Sequence, residues 1–371
     1  ADKHFIENYG FSIIDIVRNN PKEKVIHFGG PKGERIRQNY MSLLYDVVAA
    51  DGTINTLPLF PTIDEYTSFY TFVSPNGLLS ATQFTQPALT LMEKAAFEDM
   101  RAKELIQSNC AFAGHSLGEY SALAAVGDIL PLNSLVDVVF YRGMSMQSAV
   151  TRDSQGRSDY SMIAVNPARV SKTFSDAALR YVVDSIARRN GEVLEIVNFN
   201  VENWQYVAAG ALQNLDTLTN VLNYIHVAQV DLQQEAASFE GVKDKLSKII
   251  DSAFEKTQAK QAQGRIHLER GKATIPLSGI DVPFHSSFLL SGVTPFRTFL
   301  AKKFNPSDID VAQLKNKYIP NLVAEPFSTD RSFIENVYRT TSSPRLAKVL
   351  KTWTDDKYAS PAQQQRLGYI L

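Results

Sequence analysis

The sequence has few of the residues that would connect it to an oxidising compartment, a membrane or a nucleic acid. It contains one cysteine in 371 residues, so an internal disulfide is excluded and we expect a reducing, cytoplasmic location. It has no apolar run long enough to cross a bilayer, and we expect no signal peptide. Lysine plus arginine total 38 and aspartate plus glutamate 39, a balance that favours neither nucleic acid nor an anionic membrane as partner.

What is present is an ordinary globular composition. The chain is 44% hydrophobic and 21% charged, and its length suits one large domain or two. The lone cysteine, Cys110, lies in an apolar run and is interpreted as a small core residue. The chain opens at Ala1 without a methionine, which we interpret as a processed product or a piece of something longer.

The most informative stretch is a Gly-x-Ser-x-Gly pentapeptide centred on Ser116. A short apolar run, 110–113, predicts a buried strand before it, and 120–126 predicts a helix rich in small residues after it. Strand, glycine-flanked serine and helix together are typical of a nucleophile elbow. We expect a side chain at Gly114 or Gly118 to collide with the neighbouring strand or helix. We also expect the Leu117 N–H to point to where an oxyanion forms.

A serine nucleophile needs a base within hydrogen-bond reach. Of six histidines, His285 is the best placed, because it directly follows a predicted strand and opens a helix. His115 adjoins the serine but is expected to support the turn. A hydrolase triad would need an acid, for which Asp281 would have to fold back; a Ser-His dyad oriented by a backbone carbonyl fits as well. No residues are assigned to a metal.

Arg142 lies on an otherwise apolar predicted helix, 26 residues after the serine. Arginine is rarely buried without a partner, and its fork matches a carboxylate with two hydrogen bonds. The residue therefore indicates either a substrate that carries a free carboxylate or an internal salt bridge.

Further along the chain, a polar linker at 152–158 marks a change of character. Strand, helix, strand, strand and helix follow in order, which predicts a small ferredoxin-like α+β subdomain over 158–272. The strand at 273–277 is expected to return to the larger part of the chain. Within that part we expect a helix opening at Thr85-Gln86-Pro87, a flexible basic loop at 29–35 and a helix at 36–48.

At this point several segments together resemble malonyl-CoA:acyl carrier protein transacylases, and within them the malonyl/palmitoyl transferase domains of fungal fatty acid synthase β subunits. The matching segments are Gly114 to Leu123, Thr85 to Leu89, Tyr141 to Met144 with Met146-Gln147, Val282 to His285, and Asn198-Phe199-Asn200 through Gly210. The resemblance covers essentially the whole chain. It implies an α/β-hydrolase-like large subdomain, 1–157 and 273–371, with the ferredoxin-like subdomain inserted at 158–272.

The resemblance also implies roles for single residues. Ser116 attacks the thioester of malonyl-CoA with His285 as base, and Leu117 N–H and a glutamine-derived backbone amide hold the oxyanion. Arg142 clamps the malonyl carboxylate and Phe284 selects malonyl. Gln86 and Asn200 line the pocket. The substrates are CoA thioesters and the phosphopantetheine of acyl carrier protein; no cofactor is bound. The same serine returns palmitoyl to CoA.

Two family elements are missing from the sequence. One is an N-terminal Gly-Gln-Gly-Ser-Gln, whose second residue completes the oxyanion hole. The other is an Asn-Pro-Val-x-Trp-like segment that orients the histidine, which Ser343-Pro344-Arg345 only weakly resembles. We expect the remainder of the β subunit and the α subunit to supply them. Two alternatives stay open: a serine hydrolase of the esterase or thioesterase kind, and a non-catalytic assembly segment of a large synthase.

Overall fold

The computed structural model describes residues 1–48, 54–127, 131–172, 174–230, 239–303 and 309–371 and contains both helices and strands, as the α/β class requires. Its helices are α1 (Asp2–Asn8), α2 (Ile13–Asn19), α3 (Gly30–Met41), α4 (Thr82–Ala102), α5 (Gly118–Gly127), α6 (Leu132–Ser148), α7 (Asp176–Asn190), α8 (Leu212–Val227), α9 (Phe239–Ala262), α10 (Val293–Lys303), α11 (Val311–Leu314), α12 (Arg331–Thr341), α13 (Pro344–Lys351), α14 (Asp355–Tyr358) and α15 (Pro361–Ile370). Its strands are β1 (Glu23–His27), β2 (Leu44–Val48), β3 (Ile54–Pro58), β4 (Phe69–Val73), β5 (Phe112–Ala113), β6 (Tyr160–Val165), β7 (Leu194–Val201), β8 (Gln205–Ala211), β9 (Thr274–Pro276) and β10 (Tyr318–Ile319).

The largest sheet has four antiparallel strands in the order β7-β8-β6-β9. On β6, Ile163 lies opposite Ala208 of β8 on one side and Pro276 of β9 on the other. The expectation that the strand at 273–277 returns to the larger part of the chain is therefore wrong. Without β9, β6 would be an edge strand with unpaired backbone groups, and pairing with β9 satisfies them.

The two faces of this sheet have different neighbours, because side chains alternate along a strand. Ile163 and Val165 face α7 and α8 and join a large buried core with Val182 and Leu218. Met162 faces the opposite side, in a small apolar cluster that includes Val207, Ala209 and the half-buried Phe284. The sheet thus contacts the segment that leads into His285.

An aromatic cluster forms the core of the N-terminal part. Its members are Phe5, Tyr9, Phe11, Phe28, Tyr40, Phe60, Phe72, Phe84, Phe140 and Tyr141, all buried. Many pairs meet edge to face, such as Tyr9 with Phe140 at 4.8 Å and Phe72 with Phe84 at 5.2 Å between ring centres. Since Phe84 belongs to α4 and Phe140 to α6, the cluster joins these two helices.

Helices α4 and α6 approach closely at Gly143. A Cβ there would lie 2.5 Å from the Cα of Gln83, so only glycine allows this contact. The contact brings Arg142 of α6 beside Gln86 of α4. The helix also begins earlier than predicted, at Thr82, with Pro87 inside it. Burial of Phe84 in the aromatic cluster draws the preceding turn into the helix.

Two further predictions in the N-terminal part are wrong. The expected loop at 29–35 belongs to α3, which begins at Gly30, and the expected helix at 36–48 ends at Met41 before β2. A Cβ at Gly33 would lie 2.3 Å from the carbonyl carbon of Phe28, so this glycine lets the first turns of α3 pack directly on the chain after β1.

The remaining strands pair two by two within the described ranges. β1 pairs with β4 and β2 with β3, both antiparallel, whereas β5 and β10 are parallel, with Phe112 opposite Tyr318. Parallel strands end at the same edge, and residues that follow them meet there. Among the helices described, none combines the length and the apolar character that a membrane span requires.

Candidate active site

The turn between β5 and α5 has the geometry of a nucleophile elbow. Ser116 has a φ of +54°, in the left-handed region that non-glycine residues rarely adopt. A Cβ at Gly114 would lie 2.1 Å from the backbone of Gly118, so the collision predicted there is confirmed. The same prediction for Gly118 is wrong, because a Cβ at that position meets nothing within 4 Å. The turn is tight on the strand side and open on the helix side.

The backbone N–H groups of Ser116 and Leu117 lie at this turn, and they differ in whether they have a hydrogen-bond acceptor. The Ser116 N–H donates to Oδ1 of Asn321 at 2.7 Å. Over the described parts of the chain, the Leu117 N–H has no hydrogen-bond acceptor. It lies directly before the first residue of α5, where helix N–H groups favour negative charge.

Arg142 contacts the serine directly. Its Nη2 donates to Ser116 Oγ at 3.2 Å and its Nη1 donates to Gln86 Oε1 at 2.8 Å. Gln86 is itself oriented, since its Nε2 donates to Thr82 Oγ1 at 2.8 Å. Desolvation lowers the pKa of the Arg142 guanidinium, which also lies 5.7 Å from the Tyr120 ring. Within the described residues it forms no ion pair, so the internal salt bridge left open above is not found.

His285 lies beside the same turn. Its ring centre is 5.9 Å from that of His115, and its φ is +63°, a second strained backbone position. Desolvation, with the charges of Arg142 and His115, lowers the pKa of His285 to about 4, so the ring is neutral at pH 7. The structure records no hydrogen bond between His285 and Ser116, and such contacts are often long before substrate binds.

The chain around His285 is held from two directions. The Ser286 hydroxyl donates to the Pro283 carbonyl at 2.6 Å, and the Ser287 N–H donates to Glu195 of β7 at 2.9 Å. Asp281, the candidate acid for a triad, instead forms an ion pair with Arg152. It therefore does not orient His285.

The four-stranded sheet reaches the site through Asn198 of β7. Asn198 Nδ2 and His115 Nε2 lie 2.9 Å apart, which joins β7 to the serine turn. The side chain of Asn200, which the resemblance assigns to the pocket, is exposed and has no hydrogen bond within the described residues. A register irregularity between Phe199 and Val201 sets Asn200 apart from the paired part of β7. Phe284 packs on the same sheet and is half-buried there.

Asn321 is a site residue that the sequence reasoning missed. It lies two residues after β10, and its carboxamide binds the backbone of the serine turn at Ser116 and Gly114. A polar residue just beyond an apolar strand was the available signal. That signal was uninformative without knowing that β10 pairs in parallel with β5.

The fold and the site define a class: α/β proteins that carry a serine on a strained turn from strand to helix. Comparison with known proteins narrows this class, because the model of the acyl transferase domain family matches residues 1–344. The chain belongs to that family.

Curated relatives are the fatty acid synthase β subunits of Schizosaccharomyces pombe, 56% identical over 363 residues, and Saccharomyces cerevisiae, 53% identical over 360 residues. These matches cover 97% and 96% of this chain but 17% of each subunit. The resemblance found in the sequence is thereby confirmed.

Among solved structures, FabD of Acinetobacter baumannii is similar with a TM-score of 0.43 and 20% identity, covering 71% of this chain and 62% of that one. A malonyl-transacylase in complex with a type II polyketide acyl carrier protein also has a TM-score of 0.43, with 19% identity, covering 76% of this chain and 67% of that one.

Proposed function

We propose that the chain transfers malonyl groups from CoA to acyl carrier protein, and palmitoyl groups from the carrier back to CoA. The observation that supports the malonyl half is Arg142. It is a largely desolvated cation with no ion pair among the described residues, and it lies 3.2 Å from Ser116 Oγ. The carboxylate of a malonyl thioester is the group that such a cation recognises.

In the first half-reaction, Ser116 Oγ attacks the thioester carbonyl carbon and its proton passes to His285, which is neutral at pH 7. The oxyanion accepts a hydrogen bond from the Leu117 N–H and from one further backbone amide, which the family resemblance assigns to a glutamine outside this sequence. The carbon–sulfur bond then breaks, and the CoA thiolate takes the proton from His285. Malonyl remains as an ester on Ser116.

In the second half-reaction the phosphopantetheine thiol of acyl carrier protein loses its proton to His285 and attacks this ester. The carbon–oxygen bond breaks and the proton returns to Ser116. Palmitoyl transfer follows the same steps in the direction of CoA. Palmitoyl has no carboxylate, so in that reaction Arg142 keeps Gln86 as its partner, at 2.8 Å in the unliganded site.

The remaining contacts suggest how the pocket is built. Gln86 orients Arg142, and Phe284 offers an apolar wall directly before His285. We propose that Asn198, rather than Asn200, is the pocket residue of β7, since it contacts His115 beside the nucleophile.

For the fold we propose an α/β-hydrolase-like large subdomain with a ferredoxin-like insertion. The strand order β7-β8-β6-β9, with α7 after β6 and α8 after β8, supports the ferredoxin-like insertion. Because β9 completes this sheet, the insertion runs from 158 to just beyond Pro276 rather than to 272.

We further propose acyl carrier protein, the remainder of the β subunit and the α subunit as partners, in the cytoplasm. The support is the high identity to synthase β subunits along nearly the whole chain, and the single cysteine. CoA thioesters and the carrier's phosphopantetheine act as substrates, and no bound cofactor is needed for the steps above.

A triad hydrolase is less well supported. Asp281 is paired with Arg152, and water as acceptor gives Arg142 no role.

The proposal is tested by incubating the chain, with the flanking family segments restored, with radiolabelled malonyl-CoA and acyl carrier protein. We expect label on Ser116 and then on the carrier, and neither with Ser116→Ala. Free labelled malonate as the main product would instead establish a hydrolase, and an unlabelled Ser116 would establish an assembly segment.

A further inference from the structure

We infer that Asn321 is a positioning residue that holds the Ser116 turn in its reactive conformation. It joins the nucleophile to a strand more than 200 positions later in the sequence. The activity part of this inference rests on the proposed acyl transfer.

The carboxamide of Asn321 bridges both sides of the turn. Its Oδ1 accepts from the Ser116 N–H at 2.7 Å, and its Nδ2 donates to the Gly114 carbonyl at 2.6 Å. The backbone of the same residue is also held, because the Asn321 N–H donates to Glu119 Oε1 at 2.7 Å. That carboxylate oxygen also accepts from the Tyr318 hydroxyl at 2.9 Å. Asn321 is thus fixed to the first turn of α5 while its side chain binds the residues just before that helix.

This position needs such a bridge for a physical reason. β5 ends at Ala113 and α5 begins at Gly118, so the intervening backbone groups lack regular partners from strand or helix. Ser116 also has the left-handed conformation, which is strained for a residue with a side chain. A carboxamide supplies one donor and one acceptor together. A carboxylate supplies acceptors only, and glutamine places the same groups one methylene further away.

The same contact acts on the chemistry of the site. Ser116 N–H and Leu117 N–H are neighbouring groups on a short turn, so a rotation at Ser116 moves both the Oγ and the Leu117 N–H. A misplacement of about 1 Å at a reacting group costs roughly 10²-fold in rate. Asn321 is exposed, so water can replace its hydrogen bonds and the fall in Tm on its removal is expected to be small.

The test compares Asn321→Ala and Asn321→Asp with a matched control, Asn20→Ala. Asn20, at the C-terminal end of α2, makes the same kind of two-way bridge without contacting Ser116, Arg142 or His285: its Oδ1 accepts from the Leu79 N–H at 2.9 Å and its Nδ2 donates to the Asn76 carbonyl at 3.5 Å. Three quantities are measured on each full chain: Tm, kcat and KM for malonyl transfer, and the rate at which a fluorophosphonate labels Ser116, with the site identified by mass spectrometry.

We expect Asn321→Ala to lower kcat about 10- to 10²-fold and to leave KM within about threefold of wild type. Labelling of Ser116 slows in parallel. Asn321→Asp lowers kcat at least as far, because its carboxylate faces the Gly114 carbonyl oxygen without a donor. Asn20→Ala shifts Tm by a similar amount and leaves kcat and labelling unchanged.

The inference is overturned if Asn321→Ala keeps kcat and labelling near wild type, if its loss is confined to KM, or if Asn20→Ala loses as much kcat at the same Tm. Fluorophosphonate labelling requires no malonyl group. A wild-type chain that is labelled at Ser116 but transfers no malonyl therefore refutes the proposed function, while the labelling rates still test Asn321.

Discussion

Replacement of Arg142 by alanine should lower malonyl transfer much more than palmitoyl transfer, the two reactions proposed for this site. Arg142 Nη1 and Nη2 lie 2.8 Å from Gln86 Oε1 and 3.2 Å from Ser116 Oγ, so both are close enough to the nucleophile to hold a malonyl carboxylate. A charged hydrogen bond contributes about 1.5–3 kcal/mol. Loss of about 3 kcal/mol for the pair corresponds to roughly 10²-fold in kcat/KM for malonyl-CoA.

Palmitoyl transfer should respond differently to the same change. Palmitoyl offers no carboxylate, and removal of Arg142 also removes a donor that competes for the Ser116 Oγ lone pair. We therefore expect kcat/KM for palmitoyl-CoA to stay within about threefold of wild type. Arg142→Lys is the matched control: it keeps the charge but loses the planar fork, so malonyl transfer should fall to an intermediate value.

The pH dependence gives a second, independent readout of Arg142. After desolvation, the Arg142 charge is the largest cause that lowers the pKa of His285, which it helps bring to about 4. Arg142→Ala therefore raises this pKa, and the acidic limb of kcat/KM moves to higher pH. Arg142→Lys leaves the limb near its original place. Steady-state rates with both acyl-CoA substrates between pH 4 and 8 measure both effects.

Equal losses for malonyl and palmitoyl would refute the assignment of Arg142 to the malonyl carboxylate. An acidic limb that stays in place in Arg142→Ala would show that the guanidinium charge does not act on His285.

Two further predictions concern the turn and its base. Gly114→Ala should lower Tm strongly or prevent folding, since its Cβ would lie 2.1 Å from the Gly118 backbone. Gly118→Ala should fold with its Tm unchanged or slightly raised, because its Cβ meets nothing within 4 Å. Thermal unfolding of both variants measures this, and similar losses in Tm would contradict it. The pKa of His285 is lowered from 6.5 to about 4 in the folded chain, so between these pH values the unfolded chain binds more protons than the folded chain. The free energy of unfolding should therefore rise with pH across this window. His285→Gln should make this rise smaller in denaturant titrations at several pH values, and an unchanged rise would contradict the prediction.

Local sequence was sufficient to predict the features that depend only on neighbouring residues. The Gly-x-Ser-x-Gly pattern predicted the turn because a tight strand-to-helix connection needs glycine at Gly114 and tolerates a left-handed serine, and the structure has both. Arg142 was recognisable because an arginine on an apolar helix needs a polar partner. Its partners, Gln86 and Ser116, depend on the packing of α4 against α6 and were not readable from spacing alone.

Tertiary contacts decided the points on which prediction failed. The start of α4 before Pro87 depends on the burial of Phe84 against Phe11, Phe72 and Phe140, which come from three separate segments. The place of β9 depends on the open edge of β6. The contact of Asn198 with His115 depends on how β7 is placed against the serine turn, which has no local sequence signal.

The sequence by itself was enough to single out Ser116, His285 and Arg142 as the proposed nucleophile, base and carboxylate-binding cation, because a local pattern and the family resemblance together mark each of them. Only the tertiary structure decided how the nucleophile is held. Asn321 reaches Ser116 because β10 pairs in parallel with β5, and such pairing between segments 200 residues apart depends on the whole chain being folded.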